Sequence, residues 1–167
     1  MDLQHTWTLT HDEFFDNIKE IGSFHTVEGF WRLYNNIPSA SKLPHRHNFR
    51  WFKTNGASYL AEDETNIGGG QWIVEIRSRE MLDDAVLDIL LAMIGQTLHG
   101  CVCGMVVNVR NRADRVCIWT TKAETDEIQT LGNTIREIIR DRAGTVTFKL
   151  HDAQSYNTFQ AKAILHA

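Results

Sequence analysis

The sequence predicts an α/β (α+β) domain: an antiparallel-rich sheet with three helices gathered on one face. Three observations point there. Three segments repeat apolar residues at helical spacing. Between them run short stretches rich in Val, Ile, Phe and Trp, bounded by Gly, Asn and Asp. Their order, with hairpins and long crossings, does not match the strand–helix–strand rhythm of a doubly wound parallel sheet.

The segment "QHTWTLT" (residues 4–10) reads as a strand. "TVEGFWRLYNNI" (residues 26–37) reads as a helix with Thr26 as N-cap, and Val27, Phe30, Trp31, Tyr34 and Ile37 recur at helical spacing until Pro38 ends it. "HNFRWFKT" and "QWIVEIR" read as strands, with the polar loop "GASYLAEDETNIGGG" between them. "MLDDAVLDILLAMIGQTL" (residues 81–98) is the most apolar helix. Leu82, Ala85, Val86, Ile89, Leu90 and Met93 form one stripe, and Leu87, Leu91, Ile94 and Leu98 form a second beside it. That arc is wider than packing on one sheet requires. Either a neighbouring helix covers it or part of it is a contact surface.

"MVVNV" and "VCIWT" read as a hairpin around a short link, with Arg110, Arg112 and Arg115 in or beside it. "TDEIQTLGNTIREIIRDRAG" reads as the third helix, capped by Thr125 and stopped at Gly144, with Ile128, Leu131, Ile135, Ile138 and Ile139 as its stripe. "TVTFKL" and "TFQAKAIL" close the chain as strands.

The 167 residues fit a single domain, 1–167, large enough for a sizeable core. Hydrophobic residues make up 43%, which excludes a disordered chain. No apolar run approaches the ~20 residues of a membrane helix, and "MDLQHTWTLT" lacks the pattern of a secretory signal. Three cysteines, Cys101, Cys103 and Cys117, are an odd, small number that argues for reduced thiols and a cytoplasmic protein. Their spacing fits no zinc site, and the only histidine cluster is "HRH" (residues 45–47), so no metal or other cofactor is expected.

A net charge of −4 argues against broad binding along a nucleic-acid backbone, but not against a local basic pocket. Gly68-Gly69-Gly70 precedes a strand rather than joining strand to helix, so it fails the context of a phosphate loop. No arrangement of nucleophile and base is visible, and a binding protein rather than an enzyme is expected. The arginine link has two readings: a solvated turn paired with Asp114, or guanidinium forks held out for phosphate oxygens. The "AEDE" loop offers a carboxylate able to accept two N–H donors from a purine edge, and the five Trp and eight Phe offer stacking surfaces or core.

Four motifs in order, "FHTVEGFWRLYNNI", "AEDETNIGGGQWIVEI", "LDILLAMIG" and "CGMVVNVRNRADRVCIWTT", resemble the eukaryotic translation initiation factor 4E family, which binds the 7-methylguanosine cap of messenger RNA. The resemblance spans residues 3–151. It implies a curved antiparallel sheet of about eight strands with three helices on its convex face. It implies that Glu62 takes the base edge, Trp119 touches the methyl group, and Arg110, Arg112 and Arg115 take the phosphates. The first stacking tryptophan of the family falls at Phe14, with Phe15 beside it. The second falls at Ala61, which cannot stack; the longer loop brings Tyr59 into consideration. Losing one stacking face implies a cost of about 1–3 kcal/mol and a weakened grip on the cap.

The resemblance also implies a partner surface at Val27, Trp31, Leu87, Asp88, Leu91, Ile94 and Gly95, for an initiation-factor 4G-like scaffold or a 4E-binding regulatory protein. Asp88 stands where a glutamate is common, and Met1-Asp2 where a His-Pro segment is usual. A monomer or heterodimer is expected. The competing functional readings are a family member that acts mainly as a protein-interaction module or translational repressor, and a binder of another phosphorylated ligand.

Overall fold

The computed structural model describes residues 1–14, 16–54 and 67–151, and the backbone of 158–160. A curved, fully antiparallel sheet carries three helices on its convex face. In chain order the strands are β1 (Asp2–Glu13), β2 (Asp16–Thr26), β3 (His47–Lys53), β4 (Gly70–Ile76), β5 (Val102–Asn108), β6 (Arg115–Thr120), β7 (Ala143–Leu150) and β8 (Thr158–Gln160). Their order across the sheet is β2-β1-β3-β5-β6-β4-β7-β8. The helices are α1 (Val27–Tyr34), α2 (Leu82–Ile94) and α3 (Thr125–Ile139).

Period-two alternation divides the inner strands between two environments. On β3, Phe49 and Trp51 enter the core under the helices, while Asn48, Arg50 and Phe52 point to the opposite, open face. The core joins Trp7, Trp51, Trp72, Phe30 and Phe148 to the buried stripes of α2 and α3. A smaller apolar cluster on the open face holds Phe52, Cys103, Val106, Cys117 and Trp119. All three cysteines are buried and free, and burial pushes the Cys101 and Cys117 thiols up to about 12.

β2 has no counterpart in the sequence reading. It is an edge strand exposed over most of its length, so no buried face imposes alternation. Thr26 caps α1, accepting the Gly29 N–H at 2.9 Å. Thr125 is not a cap: it opens α3, and Glu124 holds the cap position without a side-chain bond. Nor does Gly144 stop that helix. The chain turns at Arg140, with φ of 57°, and Gly144 already lies in β7. Arg142 takes over the capping role, its guanidinium donating to the carbonyls of Ile138 (2.7 Å) and Ile139 (3.1 Å).

α2 leaves less surplus apolar surface than its sequence implies. Ile94 and Leu98 are only 5% and 7% exposed, so of the second stripe only Leu87 and Leu91 reach the surface. The last sequence-read strand is observed only over Thr158–Gln160; its remainder lies outside the described residues.

Gly69 and Gly132 are among the glycines that mark close approaches. A Cβ on Gly69 would lie 2.0 Å from the Thr120 carbonyl oxygen, so the triple glycine lets two backbones meet rather than cradling a ligand. A Cβ on Gly132 would lie 2.3 Å from Cζ2 of Trp72, which is fully buried and donates its Nε1–H to the Ile128 carbonyl at 3.0 Å. Alanine favours a helix over glycine by about 1 kcal/mol, yet here the clash dominates. Gly132→Ala is expected to lower stability by about 1–3 kcal/mol, read from the urea midpoint. An unchanged or raised midpoint would mean that α3 lifts off the sheet without cost.

Candidate ligand-binding face

The open face runs from an apolar centre to a cationic end. At the centre Trp119 sits edge-on to Phe52, with ring centroids 5.4 Å apart, and His151 lies over it at 4.1 Å. The indole is only 6% exposed, and its Nε1–H has no hydrogen-bond partner among the described residues. β6 therefore does bring Trp119 to the face that also carries the arginines, but under cover. A bulge between Val102 and Gly104 adds Cys103 to this cluster.

The cationic end rests on buried polar residues that the sequence reading missed. Asp12 on β1 and Arg50 on β3 form an ion pair (Nε–Oδ1 2.6 Å, Nη2–Oδ2 3.3 Å), with exposures of 0% and 4%. Asn48 donates to Asp12 at 3.0 Å, and its carbonyl oxygen accepts Nη2–H of Arg110 at 3.0 Å. The other arm of Arg110 donates to the carbonyls of Val109 (2.8 Å) and His47 (3.4 Å). Burial, and then the nearby Arg50, pull the Arg110 pKa down, with Arg46 adding to the effect. An arginine keeps its charge regardless; burial is the larger cause, and Asp12 opposes the effect of the two neighbouring guanidiniums. The signal was present in "HNFRWFK", where alternate polar residues interrupt an apolar run.

The link after β5 is not a solvated turn. Asp114 is 4% exposed, and both its oxygens accept from Arg79: Nε at 2.7 Å and Nη2 at 3.0 Å. It also accepts the Arg110 backbone N–H at 3.0 Å, while Arg79 Nη2 donates to the Arg110 carbonyl at 2.9 Å. This fork ties the link to the turn that precedes α2. Arg112 is exposed at its tip, and Arg115 makes a half-exposed ion pair with Glu75 at 3.3 Å. Arg110, Arg112 and Arg115 thus share an open pocket of about 660 Å³ with His45 and Glu75.

Phe14 stands at the tip joining β1 to β2, with φ of 46° and 41% exposure. The guanidinium carbons of Arg46 and Arg110 lie 3.9 and 4.5 Å from its ring centroid. Of the arginines that the sequence singled out, the structure therefore places Arg110 against Phe14, while Arg112 and Arg115 wall the pocket beside it. Phe15, Tyr59, Ala61 and Glu62 lie outside the described residues.

On the helix-covered face, Val27, Trp31 and Leu87 are half-buried, while Leu91 (40%), Asp88 and Gly95 are exposed. Asp88 is paired with Arg142 at 2.8 Å. Ile94 is a correction: it points into the core, because the helix turns that position toward the sheet. Trp31 and Leu87 both pack on the edge of the same core.

A helix-backed antiparallel sheet with an arginine-walled pocket beside an aromatic ring defines the class: an α/β domain with a cationic pocket on its open face. More specifically, the chain belongs to the eukaryotic initiation factor 4E family, whose family model matches residues 2–164. It is 30% identical to eukaryotic translation initiation factor 4E of Candida albicans over 98% of this chain and 85% of that protein. It is 38% identical to the human factor over 72% of this chain and 58% of that protein, so it spans about three-fifths of the human protein's length. The fold is similar to that of Caenorhabditis elegans eIF4E-3 in complex with the 4E-binding protein Mextli and a cap analog: TM-score 0.81, 31% identity, 90% of this chain and 92% of that one covered. It is also similar to Ascaris suum eIF4E-3 in complex with the m7G cap: TM-score 0.83, 29% identity, 94% of both chains covered.

Since Asp114 fixes the link while Arg79 is partly exposed, Asp114→Ala is expected to cost about 1–3 kcal/mol of stability. Amide exchange at Arg110 should speed up even where the molecule remains folded. Unchanged exchange at that amide would remove the clamp from the account.

Proposed function

We propose that this protein binds the 7-methylguanosine 5′ cap of messenger RNA on its open face, as a non-catalytic, cytoplasmic translation initiation factor. The observation that carries the reading is the placement of Arg110. Its guanidinium is anchored by Asn48 and two carbonyls and lies over the Phe14 ring, above an open pocket walled by Arg112 and Arg115. A purine stacked on Phe14 would direct its phosphates at those arginines. Glu62 accepts the base edge and Trp119 meets the methyl group in this reading, with Phe15 or Tyr59 as further stacking candidates. The family membership and the solved relatives with cap ligands support it.

The grip on the base is weakened, since Ala61 offers no second stacking face. A regulatory 4E-binding or scaffold protein docks through Trp31, Leu87 and Leu91 on the helix-covered face, supported by the exposure of Leu91 and by the relative solved with Mextli. The protein acts as a monomer or as a heterodimer with that partner. A second reading, a cap-deficient interaction module or repressor, is favoured by Ala61 together with the covered Trp119.

Calorimetric titration with 7-methylguanosine triphosphate separates the two. The first reading expects binding weaker than micromolar, and Arg110→Ala should reduce it about 10- to 100-fold, the equivalent of one charge-assisted hydrogen-bond set. An Arg110→Ala variant that binds as tightly as the parent would remove the phosphate role. Trp31→Ala should leave nucleotide binding intact and weaken capture of a 4E-binding peptide about tenfold or more; loss of nucleotide binding in that variant would contradict the separation of the two faces.

A further inference from the structure

We propose that Arg46 is a specificity residue of this site, one that weakens its preference for a methylated, cationic guanine over a neutral one. The inference rests on the cap-binding reading above and concerns which form of the base the site selects.

Arg46 is held where it is by the backbone. Its φ of +79° is a left-handed conformation that a non-glycine residue seldom adopts. Its N–H donates to the Val109 carbonyl at 2.9 Å, and its own carbonyl accepts the Phe14 N–H at 3.2 Å. The residue therefore straps the Phe14 tip to the end of β5, and its guanidinium lies 3.9 Å from the Phe14 centroid. No carboxylate among the described residues pairs with it.

The face of an aromatic ring attracts cations through its quadrupole. Methylation of guanine at N7 makes the base a cation, and stacking on an aromatic ring rewards that charge. At Phe14 the reward is already taken. A cationic base that stacks on the face Arg46 occupies replaces one cation by another. If it stacks on the other face, it meets a ring already polarised by a guanidinium, with an uncompensated like charge close by. The Arg110 guanidinium is anchored by Asn48 and two carbonyls and lies 4.5 Å from the ring centroid, whereas that of Arg46 lies against the ring face itself, at 3.9 Å. A neutral guanine suffers neither penalty, so Arg46 narrows the gap between the two bases. It also adds a positive charge that helps hold the phosphates of either nucleotide.

The test is calorimetric titration of the whole chain with 7-methylguanosine triphosphate and with guanosine triphosphate. The parent is compared with Arg46→Gly, in which glycine accepts the positive φ, and Arg46→Gln, which keeps the stem without the charge. Both variants should bind both nucleotides more weakly. The ratio of methylated to unmethylated affinity should rise about two- to fivefold, the equivalent of one exposed cation–π contact. A ratio that stays level or falls in both variants overturns the inference and leaves cap binding standing. Failure of the parent to bind either nucleotide overturns the cap reading and this inference with it.

Discussion

The open face depends on a carboxylate that never reaches solvent. Asp12 joins β1 to β3 through Arg50 and, through Asn48, fixes the orientation of Arg110. A buried ion pair is a weak source of net stability, because desolvation offsets most of the attraction. Its value here is geometric: with Arg50 neutralised and Asn48 oriented, Arg110 has one place to go. Asp114 does the same at the next step, absorbing the charge of Arg79 and holding the backbone of Arg110. That pairing explains how a chain of net charge −4 presents a cationic pocket. Buried acids neutralise the arginines that hold the frame, leaving the charges of Arg110 and Arg112 for a ligand. Arg115 shares its charge with Glu75 in a pair exposed enough to be exchanged.

One sheet serves two surfaces because its strands alternate. The side chains that bury Trp7, Trp51 and Trp72 beneath the helices necessarily send their neighbours Thr8, Arg50 and Ile73 the other way. α2 adds to the division. Its core stripe is complete, and only Leu87 and Leu91 remain at the surface beside Asp88. The apolar patch on the helix side is therefore compact. It is separated from the arginine pocket by the thickness of the sheet, while Arg79 links the approach to α2 with the link that carries Arg110.

The motifs on which family membership rests were legible in the sequence because each is a local pattern: a capped amphipathic helix, an apolar helix ending in glycine, and a hairpin with arginines in its link. The residues that aim Arg110 were less legible. Asp12, the Arg46–Asn48 stretch and Arg79 come from three separate segments, and only pairing in space gives them a shared purpose. β2 was missed because an exposed edge strand carries no buried periodicity. The ends of α3 were misplaced because Arg142, rather than Gly144, satisfies its last carbonyls.

The sequence by itself determined the class of fold and the arginines of the β5–β6 link, which follow from residue type and spacing and need no partner across the fold; that Ala61 stands where a stacking aromatic is usual is what the resemblance to the family implies. Only the tertiary structure decided that Ile94 belongs to the core, that Asp114 clamps the link instead of solvating it, and that two guanidiniums lie over Phe14. Such facts depend on which strands become neighbours. Strand order is set by burial of the whole helix-covered face, and no short stretch of the chain encodes it.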